Sequence, residues 1–200
     1  MNGKAMGGCA LIMVLSLAAP AAGQLSISPY AGAMIYDGSV MISEGGALRG
    51  SGIDSDPPDA VLGLRLGYEF PGLVELEVAY GRSWLHNGSG DVAAHLYQAM
   101  IRYPVLSSAA WSGYVAAGGG GITYRSESGQ LGSLSDPAVA AGVGLTYALS
   151  PALDFRTDLT FLGQFCDQPD DSEGLVCNDG SQLGYTQLSA GLRLRLGRDR

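Results

Sequence analysis

Ten charged side chains stand at alternate positions of otherwise apolar segments, where they could bind ions or transfer protons. Five are carboxylates and five are arginines: Glu69, Glu75, Glu77, Asp154 and Asp158, with Arg65, Arg102, Arg156, Arg193 and Arg195. Paired carboxylates can act as general acid and base, but each carboxylate here has an arginine available as a partner. Because an isolated buried charge is costly, we expect these side chains to form a hydrogen-bonded ion network. A packed polar interior is the first interpretation, and gating of a narrow ion path is the alternative.

Two histidines, His86 and His95, are the candidate catalytic bases. His86 lies in segment 85–89 (LHNGS), close to a serine. A histidine activates a nucleophile when both lie on one strand face within hydrogen-bond distance, and the His-x-Ser spacing that would place them so is missing. The sequence also contains no metal-ligand spacing, no Gly-rich phosphate loop between a strand and a helix, and no CxxC motif. We therefore predict no enzyme, no cofactor and no metal site.

Acidic residues gather in two polar segments, 37–58 and 163–182. The first, with the residue that follows it, carries Asp37, Glu44, Asp54, Asp56 and Asp59 with Arg49, and the second carries Asp167, Asp170, Asp171, Glu173 and Asp179 with no base. Solvated, mutually repelling loops are one interpretation. Binding of divalent cations is the other, although the acids at 170–173 lack the ligand spacing of an EF-hand loop.

The first 23 residues have the three parts of a secretory signal peptide. Lys4 gives the positive start, residues 9–17 (CALIMVLSL) the apolar core, and residues 18–23 (AAPAAG) the small residues for cleavage. Residues 24–200 are then the mature domain. Cys9 stands at the start of the apolar core and not after it, so a lipid anchor on it is not expected. Export leaves Cys166 and Cys177, and an even pair of cysteines in an oxidising compartment predicts a disulfide.

The elements that must position these residues are β-strands. Period-two alternation of apolar and polar residues predicts eight strands of about nine to twelve residues. They cover 28–36, 62–70, 74–84, 95–103, 113–124, 139–147, 153–161 and 188–196. Their connections are alternately short and long. An even strand number with short turns at one end and long loops at the other is typical of an antiparallel up-and-down transmembrane β-barrel, with both chain ends at the short-turn end.

The strand pattern also predicts cross-strand charge pairs. Laying neighbouring strands antiparallel, with Val74 near Tyr103, places Glu75 opposite Arg102. The same construction for the last two strands, with Leu153 near Leu196, places Asp154 opposite Arg195. Opposite charges at such positions stabilise a strand ladder.

Alternation alone does not decide which face is inside, because a soluble ligand-binding barrel hides its apolar face. Three features favour the membrane version: small residues on the polar face, a strand length that crosses a bilayer at a tilt, and aromatic residues that cap the apolar face as interfacial girdles do. The aromatic residues are Tyr36, Tyr68, Phe70, Tyr80, Trp84, Tyr103, Tyr114, Tyr124 and Tyr147. The apolar side of segment 28–36 carries Tyr30, Met34 and Tyr36, and that of segment 113–124 carries Tyr114, Ala116, Ile122 and Tyr124. Arg82 and Trp84 share this face, so we expect them at the outer rim, where an arginine can meet a lipid phosphate.

The composition fits this class of protein. Charged residues make up 15% of the 200 residues, against about 25% in an average soluble protein. The net charge of −8 argues against a strongly basic surface for nucleic acid. After residue 23 no apolar run reaches the roughly 18 residues that a transmembrane helix needs.

Three segments carry a resemblance to a known family. Residues 113–124 (GYVAAGGGGITY), 140–162 (AAGVGLTYALSPALDFRTDLTFL) and 62–70 (LGLRLGYEF) resemble strands of small OmpA-like barrels, the porin-family or opacity-type surface proteins of Gram-negative outer membranes. The resemblance covers residues 25–197 and implies an outer-membrane location with both termini in the periplasm. These barrels often end on an aromatic residue, whereas this sequence ends LGRDR. No cell-wall-binding domain follows, so we expect no periplasmic anchor.

Three functions are compatible with these observations. The first is a non-enzymatic barrel with a structural or surface-interaction role, adhesion- or opacity-like, acting through its acidic outer loops. The second is a narrow porin-like channel for small solutes or ions, and the third is a lipid-modifying or proteolytic outer-membrane enzyme. The expected partners are outer-membrane lipid and lipopolysaccharide, to which divalent cations could bridge the loops, and an extracellular or host-surface molecule. We expect a monomer that binds no nucleic acid.

Overall fold

The computed structural model describes residues 23–37, 40–42, 58–71, 74–87, 90–126, 134–165, 175–177 and 182–196. Its strands are β1 (Gln24–Asp37), β2 (Val40–Ile42), β3 (Asp59–Glu69), β4 (Glu75–Asn87), β5 (Gly90–Ser107), β6 (Trp111–Ser126), β7 (Leu134–Ser150), β8 (Leu153–Phe165), β9 (Leu175–Cys177) and β10 (Gln182–Leu196). Among these residues no helix is long and apolar enough to span a bilayer.

Eight strands form one closed antiparallel barrel in the order β1-β10-β8-β7-β6-β5-β4-β3. The prediction of an eight-stranded antiparallel barrel is therefore confirmed. A second, two-stranded sheet, in which β2 pairs with β9, is not predicted by the alternation of the sequence. These short strands lie in the two acidic segments, and Val40 stands opposite Cys177.

The stagger of the strands sets the width of the barrel. A path along directly paired residues starts at Glu69 on β3, crosses to Glu75 on β4 and continues around the barrel. It returns to β3 at Asp59, so the stagger is ten residues. With a rise of about 3.3 Å per residue and strands about 4.8 Å apart, this stagger tilts the strands by about 40°. Eight strands at that tilt enclose a lumen that side chains can fill.

The apolar face of the sheet is on the outside and the charged face is on the inside, which is the reverse of a soluble barrel. Large apolar side chains on the outside are about half exposed, as for Leu62 (51%) and Ile101 (55%). Charged side chains on the inside are buried, as for Arg65 (5%) and Asp158 (5%). A protein with this distribution is stable only where its outer face meets lipid, because exposed apolar area of this extent is unfavourable in water.

Six residues assigned to the lipid-facing side from the sequence lie in the lumen instead: Tyr30, Met34, Tyr114, Ile122 and Tyr124, all at most 8% exposed, and Ala116, which packs against the lumen core. For Tyr30 and Tyr114 the reason is volume, since their rings fill space that glycines leave on neighbouring strands. A β-carbon at Gly63 would lie 2.3 Å from the Tyr30 ring, and one at Gly144 would lie 2.1 Å from the Tyr114 oxygen. The side chain of Tyr36 lies outside the described residues.

Two glycines of β6 allow the sheet to curl tightly. A β-carbon at Gly120 would lie 1.7 Å from the carbonyl oxygen of Tyr97, and one at Gly118 would lie 2.0 Å from that of Ala99. Both carbonyl oxygens belong to the β5 backbone and cannot rotate away. The GGGG run of the sequence therefore serves closure of the barrel.

Candidate functional site

Five of the ten predicted network residues meet at the middle of the lumen, and we call them the central ion cluster. They are Arg65 on β3, Glu77 on β4, Arg102 on β5, and Arg156 and Asp158 on β8. Each is on the inward side of its strand, and each is at most 5% exposed. Alternation along the strands thus directs charges from four strands into one small volume.

Arg156 makes the largest number of contacts in the cluster. Its Nη2 donates to Glu77 Oε1 at 3.1 Å and to Asp158 Oδ1 at 2.8 Å. Its Nε donates to Asp158 Oδ2 at 2.9 Å, and its Nη1 also donates to Glu77. Two carboxylates thereby neutralise one guanidinium that is almost fully buried, which is the condition for keeping such a charge out of water.

The other two arginines complete the cluster from different sides. Arg102 Nη2 donates to Asp158 Oδ1 at 3.1 Å, and its Nη1 lies 3.3 Å from Glu77 Oε2 and 3.1 Å from Glu75 Oε2. Arg65 Nη1 lies 3.0 Å from Asp158 Oδ2, while its Nη2 donates to Ser189 Oγ at 2.7 Å. With Glu75 included, three arginines face three carboxylates, so the formal charge balances.

Two tyrosines predicted on the lipid-facing side, Tyr30 and Tyr114, are part of this site. The guanidinium carbon of Arg102 lies 3.6 Å from the Tyr114 ring centroid, and that of Arg65 lies 3.8 Å from the Tyr30 ring centroid. Tyr114 Oη accepts from Arg156 Nε at 2.9 Å and donates to Asp158. The rings cover the arginines with cation–π contacts. A glycine on the neighbouring strand faces each ring, and this glycine is the feature of the sequence that could have predicted a tyrosine in the lumen.

The remaining network residues lie closer to the short-turn end. Arg193 Nη2 lies 3.1 Å from Glu69 Oε2 and 3.2 Å from Glu75 Oε1. Glu69 is the most open of these carboxylates, with its side chain 47% exposed. These pairs continue the ladder of charges from the cluster to the edge of the barrel.

The two predicted registers have different outcomes. Glu75 stands directly opposite Arg102, as the sequence predicts. The second register is wrong by two residues, because Asp154 stands opposite Arg193 and not opposite Arg195. Arg195 still reaches Asp154 diagonally, with Nη2 donating to Oδ1 at 2.8 Å, since an arginine is long enough to span two residue positions.

The central ion cluster leaves almost no free space. The void that it lines measures about 10 Å³, which is at most the room for one water molecule. Towards the short-turn end the lumen widens into a cavity of about 380 Å³, the inner cavity, which ends at Arg102 and Tyr114. Its rim includes Glu69, Arg193 and Arg195. The inner cavity is therefore a blind pocket and not half of an open passage.

The opposite end of the lumen is filled by an apolar core. Its members are Met34, Ala94, Leu96, Met100, Ile122, Tyr124, Ala138, Ala140, Leu162 and Tyr185. A buried polar chain crosses this core, in which Tyr124 Oη donates to Gln164 Oε1 at 2.9 Å and Gln164 Nε2 donates to Asp136 Oδ2 at 2.6 Å. Among the described residues, packed apolar side chains and this hydrogen-bonded chain thus form a second layer in the lumen.

On the outer surface the structure places Arg82 and Trp84 on one side of β4. The guanidinium carbon of Arg82 lies 5.0 Å from the Trp84 ring centroid. His95 is on the same surface, with Nδ1 2.7 Å from Tyr80 Oη, so this histidine lies on the lipid-facing side rather than in the lumen. The side chain of His86 lies outside the described residues.

Other predicted features fall wholly or partly outside the described part of the chain. This group contains the signal segment up to residue 22, Cys166, and the acidic side chains of loops 37–58 and 163–182. Asp59, which follows the first loop, is described, and of Cys177 only the backbone is described. Among the residues that the structure does describe, no three His, Cys, Asp or Glu side chains form a group that could hold a metal ion.

Structural comparison finds outer-membrane barrels. Neisserial surface protein A is 16% identical, with a TM-score of 0.62 over 85% of this chain and 96% of that one. The outer membrane protein OprG of Pseudomonas aeruginosa is 14% identical, with a TM-score of 0.56 over 88% and 97%. Outer membrane protein AlkL, whose structure was determined in DMPC lipid bilayers, is 13% identical with a TM-score of 0.53 over 100% and 99%.

Sequence comparison adds nothing to this result. No protein-family model matches the chain, and no curated protein matches it. The similarity at 13–16% identity concerns the fold, and it agrees with the closed antiparallel barrel and its apolar outer face. The chain has the fold of the small eight-stranded β-barrels of bacterial outer membranes.

Proposed function

We propose that this chain is a closed, non-enzymatic outer-membrane barrel that acts as a scaffold for its acidic outer loops. In this proposal the barrel supplies a stable anchor, and loops 37–58 and 163–182 meet a partner outside the cell. Both termini face the periplasm, because the short turns of such barrels lie on that side. Loops carry specificity on a rigid scaffold in many folds, and two long acidic loops are the part of this chain that could do so.

The observation that carries the proposal is the closure of the lumen. At mid-height the central ion cluster leaves about 10 Å³, and the apolar core around Met34, Leu96 and Ile122 fills the next layer. A hydrated ion or a small solute needs a continuous passage, and two successive packed layers interrupt it. A closed barrel of this kind supports a structural or surface-interaction role better than transport.

A liposome swelling assay tests the closed state. Folded protein reconstituted into vesicles is exposed to isotonic arabinose, and a large outer-membrane porin serves as the positive control. We expect swelling no faster than in vesicles without protein. Swelling that rises in proportion to the amount of folded protein would contradict the proposal.

A binding assay tests the role of the loops. The wild-type barrel is compared with a variant in which residues 38–58 and 166–181, which lie outside the barrel strands, are replaced by short Gly-Ser connections, and with a second variant in which only residues 127–133 are so replaced. All three proteins are screened against extracellular matrix proteins and lipopolysaccharide, with and without Ca²⁺. The proposal predicts binding that the first replacement removes and the second retains. Equal binding by all three barrels would count against a loop-mediated role.

A narrow channel is the second candidate, and the inner cavity is the observation that favours it. This cavity of about 380 Å³ opens towards the short turns and is lined by Arg102, Arg193 and Arg195 together with two glutamates. Conduction would require the central ion cluster to separate into a second arrangement. Single-channel recording distinguishes the two candidates, because a moving cluster would give discrete openings.

A further inference from the structure

We infer that the inner cavity binds a small organic acid, a carboxylate that carries a short apolar chain or ring. The binding site lies at the short-turn end of the barrel, between the arginines of β10 and an apolar wall next to β4 and β5. Such a ligand goes beyond the closed scaffold, in which the inner cavity has no role. Only the entry of the acid from the periplasm rests on the proposed function, which places the short turns on that side.

The inner cavity has the size of a ligand pocket. Its volume of about 380 Å³ lies within the range of roughly 300–1,000 Å³ that is usual for pockets of small molecules. The residues that line it all belong to the described part of the chain. Arg102 and Tyr114 form its closed inner end, so a ligand enters from the short-turn end and stops at the central ion cluster.

Two arginines of β10 offer hydrogen-bond donors that their ion pairs do not use. Arg193 meets Glu69 and Glu75 through Nη2. Arg195 holds Asp154 through Nε and Nη2. Among the described residues no acceptor faces the Nη1 of either arginine, and the Nε of Arg193 is buried without one. Because a guanidinium carries five N–H donors, a ligand with several acceptor oxygens is complementary to this wall.

The ligand has to compete with Glu69 for Arg193. The Glu69 side chain is 47% exposed, and an ion pair that is this open to water is held weakly. A carboxylate can therefore join Arg193 at Nη1 or replace Glu69, with two parallel N–H donors of the guanidinium on its two oxygens. A phosphate would bring up to two negative charges next to Glu69 and Glu75, so the singly charged acid is the better match.

The wall away from the arginines selects an acid with an apolar part. Phe70 and Val74 line the cavity at the turn between β3 and β4, and Pro104 lines it on β5. β5 stands opposite β10 across the barrel, so a ligand held by the arginines turns its other end towards these side chains. Contact with them removes apolar ligand surface from water. An inorganic anion would use the arginines and leave this wall uncovered.

Amide NMR of the full-length mature barrel, folded in detergent micelles, tests the inference. The probes are benzoate, its neutral analogue benzamide, and acetate, which lacks the apolar part. We expect benzoate to give saturable shifts at Thr146 and Arg193, which line the cavity, and none at Leu96 and Ile122 in the apolar core.

The two comparison probes separate the head of the ligand from its body. Benzamide should bind at least about tenfold more weakly than benzoate, because hydrogen bonds to a charged acceptor are the stronger ones. Acetate should also bind at least about tenfold more weakly, because it buries no ring. Equal affinity for benzoate and benzamide, or the absence of saturable shifts at the cavity, would overturn the inference.

A pair of phenylalanine variants locates the site. Ser112→Phe fills the cavity without removing a charged group, and it should abolish the saturable benzoate shifts. Val115→Phe places the same side chain on the lipid-facing side of the same strand, where Val115 is 42% exposed, and it should bind benzoate like the wild type. Heat-modifiable migration verifies that both variants are folded. Wild-type benzoate affinity in folded Ser112→Phe would overturn the inference.

A second pair of variants tests the role of Arg193. Glu69→Gln removes the competing carboxylate, so its benzoate affinity should exceed that of the wild type. Glu69→Gln combined with Arg193→Gln keeps the formal charge of the pair at zero and should bind benzoate more weakly than Glu69→Gln alone. Equal affinity of these two variants would overturn the inference. A conducting wild-type barrel would refute the closed scaffold and leave these titrations unaffected, so the two failures are distinguishable.

Discussion

Arg156 and Glu77 meet in the middle of the lumen although β8 and β4 lie on opposite sides of the barrel, four strands apart in either direction. Their side chains together span the interior, with Arg156 Nη2 donating to Glu77 Oε1 at 3.1 Å. The void that the central ion cluster lines measures about 10 Å³. The pair therefore helps to fill the middle of the lumen and also connects strands that share no backbone hydrogen bonds.

The first prediction concerns the stability that this contact provides. Glu77→Gln should lower the free energy of unfolding by about 3–5 kcal/mol, because it leaves buried arginines without a carboxylate. Urea unfolding in lipid vesicles, followed by tryptophan fluorescence, measures it. Glu69→Gln is the control, since its carboxylate is 47% exposed and its pair with Arg193 should contribute at most about 1 kcal/mol. Similar losses of unfolding free energy for the two variants would show that the central ion cluster is not the main ionic contribution to stability.

The second prediction tests whether Tyr114 faces the lumen. Tyr114→Phe should destabilise the barrel by about 1–3 kcal/mol, because Asp158 loses a donor and Arg156 an acceptor inside a buried network. Tyr103→Phe, at a lipid-facing position with 55% exposure, is the matched control and should change stability by less than about 0.5 kcal/mol. The same unfolding measurement gives both values. A larger loss of stability for Tyr103→Phe than for Tyr114→Phe would place Tyr114 on the lipid-facing side.

The third prediction concerns closure of the barrel. Gly120→Ala should reduce the yield of folded protein strongly, because its β-carbon would lie 1.7 Å from the Tyr97 carbonyl oxygen. Gly163→Ala should fold normally, since its β-carbon would come no closer than 3.5 Å to a Val139 methyl group. Heat-modifiable migration in gel electrophoresis reports the folded fraction. Normal folding of Gly120→Ala would mean that β5 and β6 do not approach each other so closely.

The fourth prediction concerns the two cysteines of the mature chain. Cys166 and Cys177 should form a disulfide in loop 163–182, since export brings both into an oxidising compartment. Mass spectrometry of the purified, non-reduced protein should find no free thiol, and two free thiols would refute the pairing. Replacing both with Ser should leave heat-modifiable folding intact and make residues 167–176 easier for a protease to cleave.

The alternation of the sequence was enough to predict the strand number, the antiparallel order and the inward position of the charges. Glu75 and Arg102 could be paired because a short hairpin fixes their register. Asp154 and Arg195 could not be placed as accurately, because β10 meets β8 only after a long loop. Their register depends on the stagger of the whole barrel, which is a property of all eight strands.

The tyrosines show where pattern reasoning fails. Alternation predicts Tyr30 on the lipid-facing side, and the frequency of aromatic residues at membrane interfaces predicts the same for Tyr114. Their rings instead fill the volume that Gly63 and Gly144 leave in the lumen. The Tyr114 hydroxyl joins the ion cluster, and the Tyr30 hydroxyl donates to the backbone oxygen of Tyr80 at 3.4 Å. Which side a tyrosine faces depends on the volume of residues on neighbouring strands, and a single strand does not contain that information.

Single-channel recording in planar lipid bilayers tests the central claim, that the lumen is closed, most directly. Folded wild-type protein, verified by its heat-modifiable migration, is inserted at high salt, with Glu77→Ala combined with Arg156→Ala as the comparison. Closure by the central ion cluster predicts no stable openings in the wild type and small, discrete openings in the double variant. Long-lived wild-type openings that account for the whole folded population would contradict the closed lumen.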